Sequence, residues 1–249
     1  YGGTGRITGM HFRVESAISF AGYFAVKLGG AHRGILFTGL FGGLASSTAV
    51  TLHLSRLGKR SPEIVPVAAS GILIACGTMY IRMLIVVGLL APFMLDSLWP
   101  PVALMAFITY LPLIRYRKGE AATSLGTSSS LNNPLELKTA LSFGAILTAV
   151  MLLSVALREL YGDAGLMTLA AVSGIADVDA IVLSLIGMAD NDLATRLFVM
   201  GCVTAASSNS LIKALMCSAI GGYHLGIKAS VPLVVAALTG VITTWFWYW

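Results

Sequence analysis

The sequence predicts an all-α, polytopic bundle of seven or eight transmembrane helices built from two internal repeats. Three observations lead there. Of 249 residues, 57% are hydrophobic and only 11% charged, against about 25% charged in a typical soluble domain. The apolar residues gather in runs long enough for a helix to cross hydrocarbon, which takes about 20 residues. The two halves of the chain also align without gaps at an offset of 131 residues, Gly43 falling on Gly174.

So little charge cannot cover a soluble domain of this size, and the mean hydropathy of +0.86 excludes a disordered chain, which needs low hydrophobicity and excess charge. The net charge of +5 and pI near 9.2 come from short basic clusters between apolar runs. That is the pattern of cytoplasmic membrane loops, so the expected partner is the lipid bilayer and not nucleic acid. Cys76, Cys202 and Cys217 lie inside apolar stretches without metal-ligand spacing and read as buried free thiols. The chain opens on Tyr1, and we expect a start further upstream; Tyr1–Met10 lacks the apolar core of a signal peptide.

In chain order, the spans are expected at 11–28, 34–57, 62–91, 94–115, 135–160, 164–187, 192–221 and 227–248. The first is the weakest, because His11, Arg13 and Glu15 leave too few apolar residues before Gly29 for a full crossing. The fourth contains Pro100–Pro101 and is expected to start or kink there. Arg115 to Pro134 is the long polar segment, with Ser128–Ser130 and Asn132–Asn133, and reads as a flexible linker. Residues 1–115 then form the first repeat, 116–134 the linker and 135–249 the second repeat. With eight spans, ten of the 16 lysines and arginines fall on the linker's side and four on the other. The positive-inside rule thus predicts a bacterial inner membrane protein with both termini and the linker in the cytoplasm. The aromatic end, Trp245–Trp249, reads as an interfacial anchor.

At the 131-residue offset, Gly34, Ala45, Ala49 and Leu52 coincide with Gly165, Ala176, Ala180 and Leu183. The register continues through the next span, where Arg82 falls on Lys213. Matching glycines and matching intramembrane cations in one register point to duplication, in parallel or inverted topology. In repeat-built transporters the site lies at the repeat interface.

The second half carries Ser173-Gly174-Ile175-Ala176-Asp177-Val178-Asp179 near mid-span. A carboxylate at membrane depth costs about 2.5–3.5 kcal/mol on insertion scales, so Asp177 and Asp179 should face the bundle interior or a wet path. Their spacing places them about 200° apart on a regular helix. A break at Ser173–Gly174 would let Asp177 cap the following half-helix while Asp179 faces the path. The plainer reading is that both simply pair with Lys213 and Arg82. Ser46 and Thr48 replace the two aspartates in the first half, where hydroxyls can ligate a cation, line a wet path or bond back to their own helix. Asn209 and Lys213 share a face of the next span. Lys213 is expected to reach an aspartate or snorkel outward, as is Arg82. Gly39-x-x-x-Gly43 and Ala170-x-x-x-Gly174 read as close helix packing. No zinc or phosphate-loop motif appears, so no enzyme activity and no cofactor are expected.

Gly39-Leu-Phe-Gly-Gly-Leu-Ala-Ser-Ser-Thr-Ala-Val-Thr, Asn133-Pro-Leu-Glu-Leu and Ser173-Gly-Ile-Ala-Asp-Val-Asp-Ala-Ile resemble the membrane domain of unknown function found C-terminal to an MgtC/SapB-type domain in bacteria. The resemblance covers the chain from about Ser16 onward. It implies a membrane location and a link to magnesium homeostasis. A longer apolar first helix would be expected there before Ser16.

The combined expectation is a channel or secondary transporter for a small ion, with a cation such as Mg2+ preferred. Asp177 and Asp179 are its expected metal and coupling groups, Asn209, Ser46 and Thr48 its polar lining, and Arg82 and Lys213 its countercharges. The alternatives are an anion or proton pathway through Arg82 and Lys213, or a regulatory membrane subunit. A homo-oligomer or an MgtC-like domain are the protein partners this reading allows.

Overall fold

A computed structural model of the chain describes residues 38–116, 137–189 and 194–248. The expected first span and most of the linker lie outside these residues. No strand occurs among them, and seven helices longer than ten residues carry the fold. They are α1 (Gly43–Arg60), α2 (Val65–Leu90), α3 (Pro92–Tyr110), α4 (Leu137–Ala176), α5 (Asp179–Ala189), α6 (Thr195–Gly221) and α7 (Val231–Tyr248). Single turns extend them: a wide turn at Thr38–Gly42 before α1, and Tyr223–Leu225 with Gly226–Ser230 before α7.

Proline sets two of the boundaries. A residue before proline is driven out of the helical region by the ring. Ser61 before Pro62 (φ −135°, ψ 87°) accordingly ends α1, and Ala91 before Pro92 (φ −140°, ψ 63°) ends α2. Each proline then opens the next helical segment, where its missing N–H leaves no gap in the ladder. Pro100–Pro101 behaves differently. The expected start at this pair is absent: α3 begins at Pro92 and runs through both residues to Tyr110. A proline's fixed φ near −65° is itself helical, so the pair is accommodated inside α3 although it removes two backbone donors. Gly162 separates the two spans merged in α4: its φ of 60° and ψ of −146° are cheap only for a residue without Cβ.

Four helical stretches among the described residues are long and apolar enough to cross a membrane: Pro62–Leu90, Pro92–Tyr110, Thr195–Gly221 and Tyr223–Trp247. The distribution of polarity agrees. Leu89, Phe107, Leu215 and Phe246 are exposed on the perimeter, whereas Arg82, Asp179, Asn209 and Lys213 are buried. That is the arrangement of an integral membrane protein, in which the outer face meets lipid and polar groups turn inward.

Lipid leaves little hydrophobic drive between helices, so close packing and interhelical hydrogen bonds hold the bundle. Small residues of α2 (Ala68, Ala69, Gly71, Ala75) lie buried, and Ala68, Gly71 and Ala75 meet Gly58, Gly39 and Gly43 of α1 and the turn before it. Tyr80 Oη and Ser210 Oγ join α2 to α6 at 2.6 Å. Ser184 Oγ donates to Ser154 Oγ between α5 and α4 at 2.8 Å, and Ser207 Oγ donates to Ala237 O between α6 and α7 at 3.2 Å.

Candidate functional site

Besides the break at Gly162, two helix interruptions among the described residues fall at equivalent places in the two halves. Inside α1, Ser46 leaves the helical region (φ −163°, ψ 99°). At the same 131-residue offset, Asp177 and Val178 separate α4 from α5. The breaks therefore come three residues after Gly43 and Gly174, not at the glycines. Those glycines are used for close approach instead: a Cβ on Gly43 would lie 2.6 Å from Ala75 Cα, and one on Gly174 would collide with the Ala205 carbonyl oxygen.

A break in a membrane helix exposes backbone donors and acceptors that must find partners within the protein. Ser46 Oγ accepts from Ala49 N at 3.3 Å, capping the half-helix that follows the first break. Asp177 Oδ1 accepts from Asp179 N at 3.3 Å at the head of α5. On the other side of each break a side chain of the following span covers a carbonyl. Arg82 Nη1 donates to Leu44 O at 2.8 Å, and Asn209 Nδ2 donates to Gly174 O at 2.7 Å. The hydroxyl and carboxylate of the two halves thus share one local backbone role, which explains why small hydrogen-bonding side chains sit there.

The cations cross between halves. Arg82 of the first half pairs through Nη2 with Asp179 Oδ2 at the second break. Its guanidinium therefore touches both breaks at once. Lys213 of the second half is fully buried and reaches the first break, where Nζ donates to Ser47 Oγ at 2.7 Å; its other close contact is Met79 Sδ at 3.3 Å. It neither snorkels outward nor forms an ion pair among the described residues. Asp177 likewise makes no ion pair among them.

Between the breaks lies a cavity of about 390 Å³. Ser46, Ser47, Thr48, Ala49, Leu52 and Arg82 of the first half line it, with Ala176, Asp177, Asp179 and Asn209 of the second. Ser46, Ala49 and Ala176 are exposed members of this wall; Ser47, Arg82, Asp179 and Asn209 are buried ones. Asn209 is 2% exposed, and its Oδ1 has no hydrogen-bond partner. A buried amide oxygen without a partner is unusual in a folded protein and marks this wall as a place that needs a reason. The oxygens available (two carboxylates, the Asn209 carbonyl, and the hydroxyls of Ser46, Ser47 and Thr48) form a hard donor set without sulfur or imidazole, the kind that suits Mg2+ or Ca2+ rather than a thiophilic metal.

Six of the seven residues singled out in the sequence lie on this one wall: Asp177, Asp179, Asn209, Ser46, Thr48 and Arg82. Lys213 stands behind it, one hydroxyl away. The sequence pattern passed over Ser47, because the repeat register sets it opposite the apolar Val178. It also could not show the carbonyls of Leu44 and Gly174, which any residue type supplies.

A family model described as a domain of unknown function, DUF4010, matches residues 15–221. A protein of Aquifex aeolicus (strain VF5), described as uncharacterized, is 30% identical over 215 residues, covering 84% of this chain and 91% of that protein. No solved structure matches.

Proposed function

We propose that this chain, which belongs to the DUF4010 family, is a channel or secondary transporter of the bacterial inner membrane that moves a small cation through the cavity between its two breaks. The observation that carries the reading is that both helix interruptions, one from each half, line a single polar cavity in an otherwise apolar bundle. Discontinuous helices at a repeat interface are a recurrent way to build ion sites in transporters, because they free backbone and side-chain groups at membrane depth.

The donor set favours a cation, and Mg2+ is the preferred one. Mg2+ dehydrates reluctantly and is usually held through one or two carboxylates while keeping several waters. At about 30 Å³ per water, a cavity of this size offers room for on the order of ten waters, enough for an ion with its hydration shell. The resemblance to a domain that follows MgtC/SapB-type domains adds magnesium homeostasis and an MgtC-like partner to the proposal. Both termini lie in the cytoplasm in this reading, on the strength of the lysine and arginine distribution. The protein transports and performs no bond chemistry.

Purified protein in liposomes loaded with a Mg2+-sensitive dye tests the proposal. Flux is expected in the wild type and a severe loss in Asp177→Asn and Asp179→Asn; equal flux in all three would remove the carboxylates from the path. One observation favours a second reading: Arg82 stands on the cavity wall and could attract an anion. Reversal potentials under imposed salt gradients separate the two, since an anion path reverses toward the anion's equilibrium potential.

A further inference from the structure

Arg82 does more at the cavity than neutralise charge. Its guanidinium donates to Leu44 O at the first break and pairs with Asp179 at the second. The two interrupted helices, one from each half, are therefore held together by one side chain. Asp179 is the better buried of the two carboxylates, at 8% exposure, and Arg82 occupies it within the cavity that Asp177, Asn209, Ser46, Ser47 and Thr48 also line.

We propose that Arg82 is a resident competitor of the transported cation, which must displace the guanidinium from Asp179 to load the site and in doing so releases the bridge between the two breaks. The inference rests on the cation-transport reading and names its regulation. Charge decides which cations can do this. With Arg82 seated, Asp177 is the carboxylate left without an ion pair among the described residues, and the wall sets two acids, Asp177 and Asp179, against one base, Arg82, with Lys213 one hydroxyl behind. With Arg82 displaced, two carboxylates face the guest. A monovalent ion taking the guanidinium's place gains nothing in charge, whereas a divalent ion brings one charge more. The latch therefore selects divalent over monovalent cations. Ser46 and Thr48 on the same wall offer neutral hydroxyl oxygens beyond the two carboxylates.

Occupancy and separation of the halves are then one event. A ligand shifts a conformational equilibrium only by its difference in affinity for the two states, and Arg82 creates that difference because the latched state has one carboxylate fewer to offer. A latch closed nine-tenths of the time lowers the apparent affinity about tenfold.

The test uses full-length protein in detergent and in liposomes, with Mg2+ as the probe and Na+ as the competitor. Spin labels at Leu40→Cys and Ile175→Cys report the separation of the breaks. Both positions are exposed beside a break and outside the cavity wall, while the native cysteines are buried. In the wild type, Mg2+ is expected to shift the distance distribution. In Arg82→Gln, the shifted distribution is expected without Mg2+, Mg2+ binding about tenfold tighter, and discrimination against Na+ reduced. Unchanged affinity, discrimination and distances in Arg82→Gln would overturn the latch, as would loss of binding to the level of Asp177→Asn. If Arg82→Gln does not fold, Arg82→Lys decides. A lysine keeps the charge but lacks the fork that spans Leu44 O and Asp179, so the same shifts are expected at smaller size, and wild-type behaviour would refute the proposal. Wild-type protein that binds and carries Mg2+ with no sensitivity to residue 82 sinks only this inference; wild-type protein that does neither sinks the transport reading with it.

Discussion

Ser46 and Asp177 hold the same post in the two halves of the chain. Each stands where a membrane helix is interrupted, and each turns its side-chain oxygen back to the backbone N–H of the half-helix that follows. They differ in charge and in reach, Ser46 bonding the N–H three residues on and Asp177 the one two residues on, so the capping oxygen is neutral at the first break and acidic at the second. Capping explains why both residues are small and polar. It does not explain why only one is a carboxylate, and that difference separates architecture from function.

Asp177 is therefore the position at which the two roles can be divided. Asp177→Asn keeps the capping oxygen and removes the charge, whereas Asp177→Ala removes both. Stability in detergent, followed by unfolding, is expected to be near wild type for the asparagine and lower by about 1 kcal/mol for the alanine. Cation flux should fall in both. Normal flux in Asp177→Asn would leave the residue with a structural role only.

The Arg82–Asp179 pair is almost wholly buried, with side chains 6% and 10% exposed. Removing one partner leaves the other's charge stranded, at about 3–5 kcal/mol, while replacing both with apolar residues of similar size is often neutral. Arg82→Met and Asp179→Leu are each expected to be strongly destabilised, and the double variant to recover most of the loss. Additive losses in the double variant would mean that the pair is not coupled.

Lys213 presents the opposite balance. A buried ammonium whose hydrogen-bond partners among the described residues are Ser47 Oγ and Met79 Sδ has a large desolvation cost and little to offset it. Lys213→Met is expected to be at least as stable as the wild type in the same unfolding assay. A loss of more than about 2 kcal/mol, well beyond a neutral hydrogen bond, would show that the lysine has a strong partner in the folded protein.

Water access to the cavity can be read directly. Cysteines at Ser46, Ala49 or Ala176, exposed residues of the cavity wall, should react with a charged, membrane-impermeant thiol reagent, and Mg2+ should slow the reaction. A cysteine at Leu215, exposed on the apolar perimeter, should not react. Reaction at Leu215 alone would place the aqueous path elsewhere.

Gly43→Val and Gly174→Val test the paired close approaches. Each added side chain meets α2 or α6 backbone, through Ala75 or Ala205, so repacking is expected to cost about 1–3 kcal/mol or more. Gly162→Ala should be milder in packing, since nothing lies within 4 Å of its added Cβ, and its loss should come from the positive φ. Thermal stability of the purified variants measures both.

Much of this was legible in the chain because lipid makes polarity conspicuous. Asp177, Asp179, Asn209, Arg82 and Lys213 stand out against apolar neighbours, and burial of any of them in hydrocarbon demands a reason. The repeat offset located Ser46 and Thr48 through the aspartates they replace. The partner choice was not legible. Both aspartates lie two residues apart and both cations occupy one register, so the pattern is indifferent to which cation takes which acid. The directions of the half-helices after each break decide it, sending Arg82 to Asp179 and Lys213 to a hydroxyl. The break expected at Ser173–Gly174 falls three residues after the glycine. At Gly43 and Gly174 the absence of a Cβ serves contact with the neighbouring helix, and the rupture falls where a side chain can cap the new end. Pro100–Pro101 suggested a boundary because proline removes donors, yet the pair already has the angle a helix requires.

The matched breaks have a consequence for how such a cavity can be tuned. Were the two halves separate, identical chains related by a two-fold axis, every substitution would appear twice, and the wall could hold only an even number of carboxylates. Covalent fusion lifts that identity. One half can keep hydroxyls at its break while the other takes acids, and charge can then be adjusted one unit at a time. A cavity bearing an odd net charge, able to tell a singly from a doubly charged guest, is open to two fused repeats that have diverged and closed to a symmetric pair.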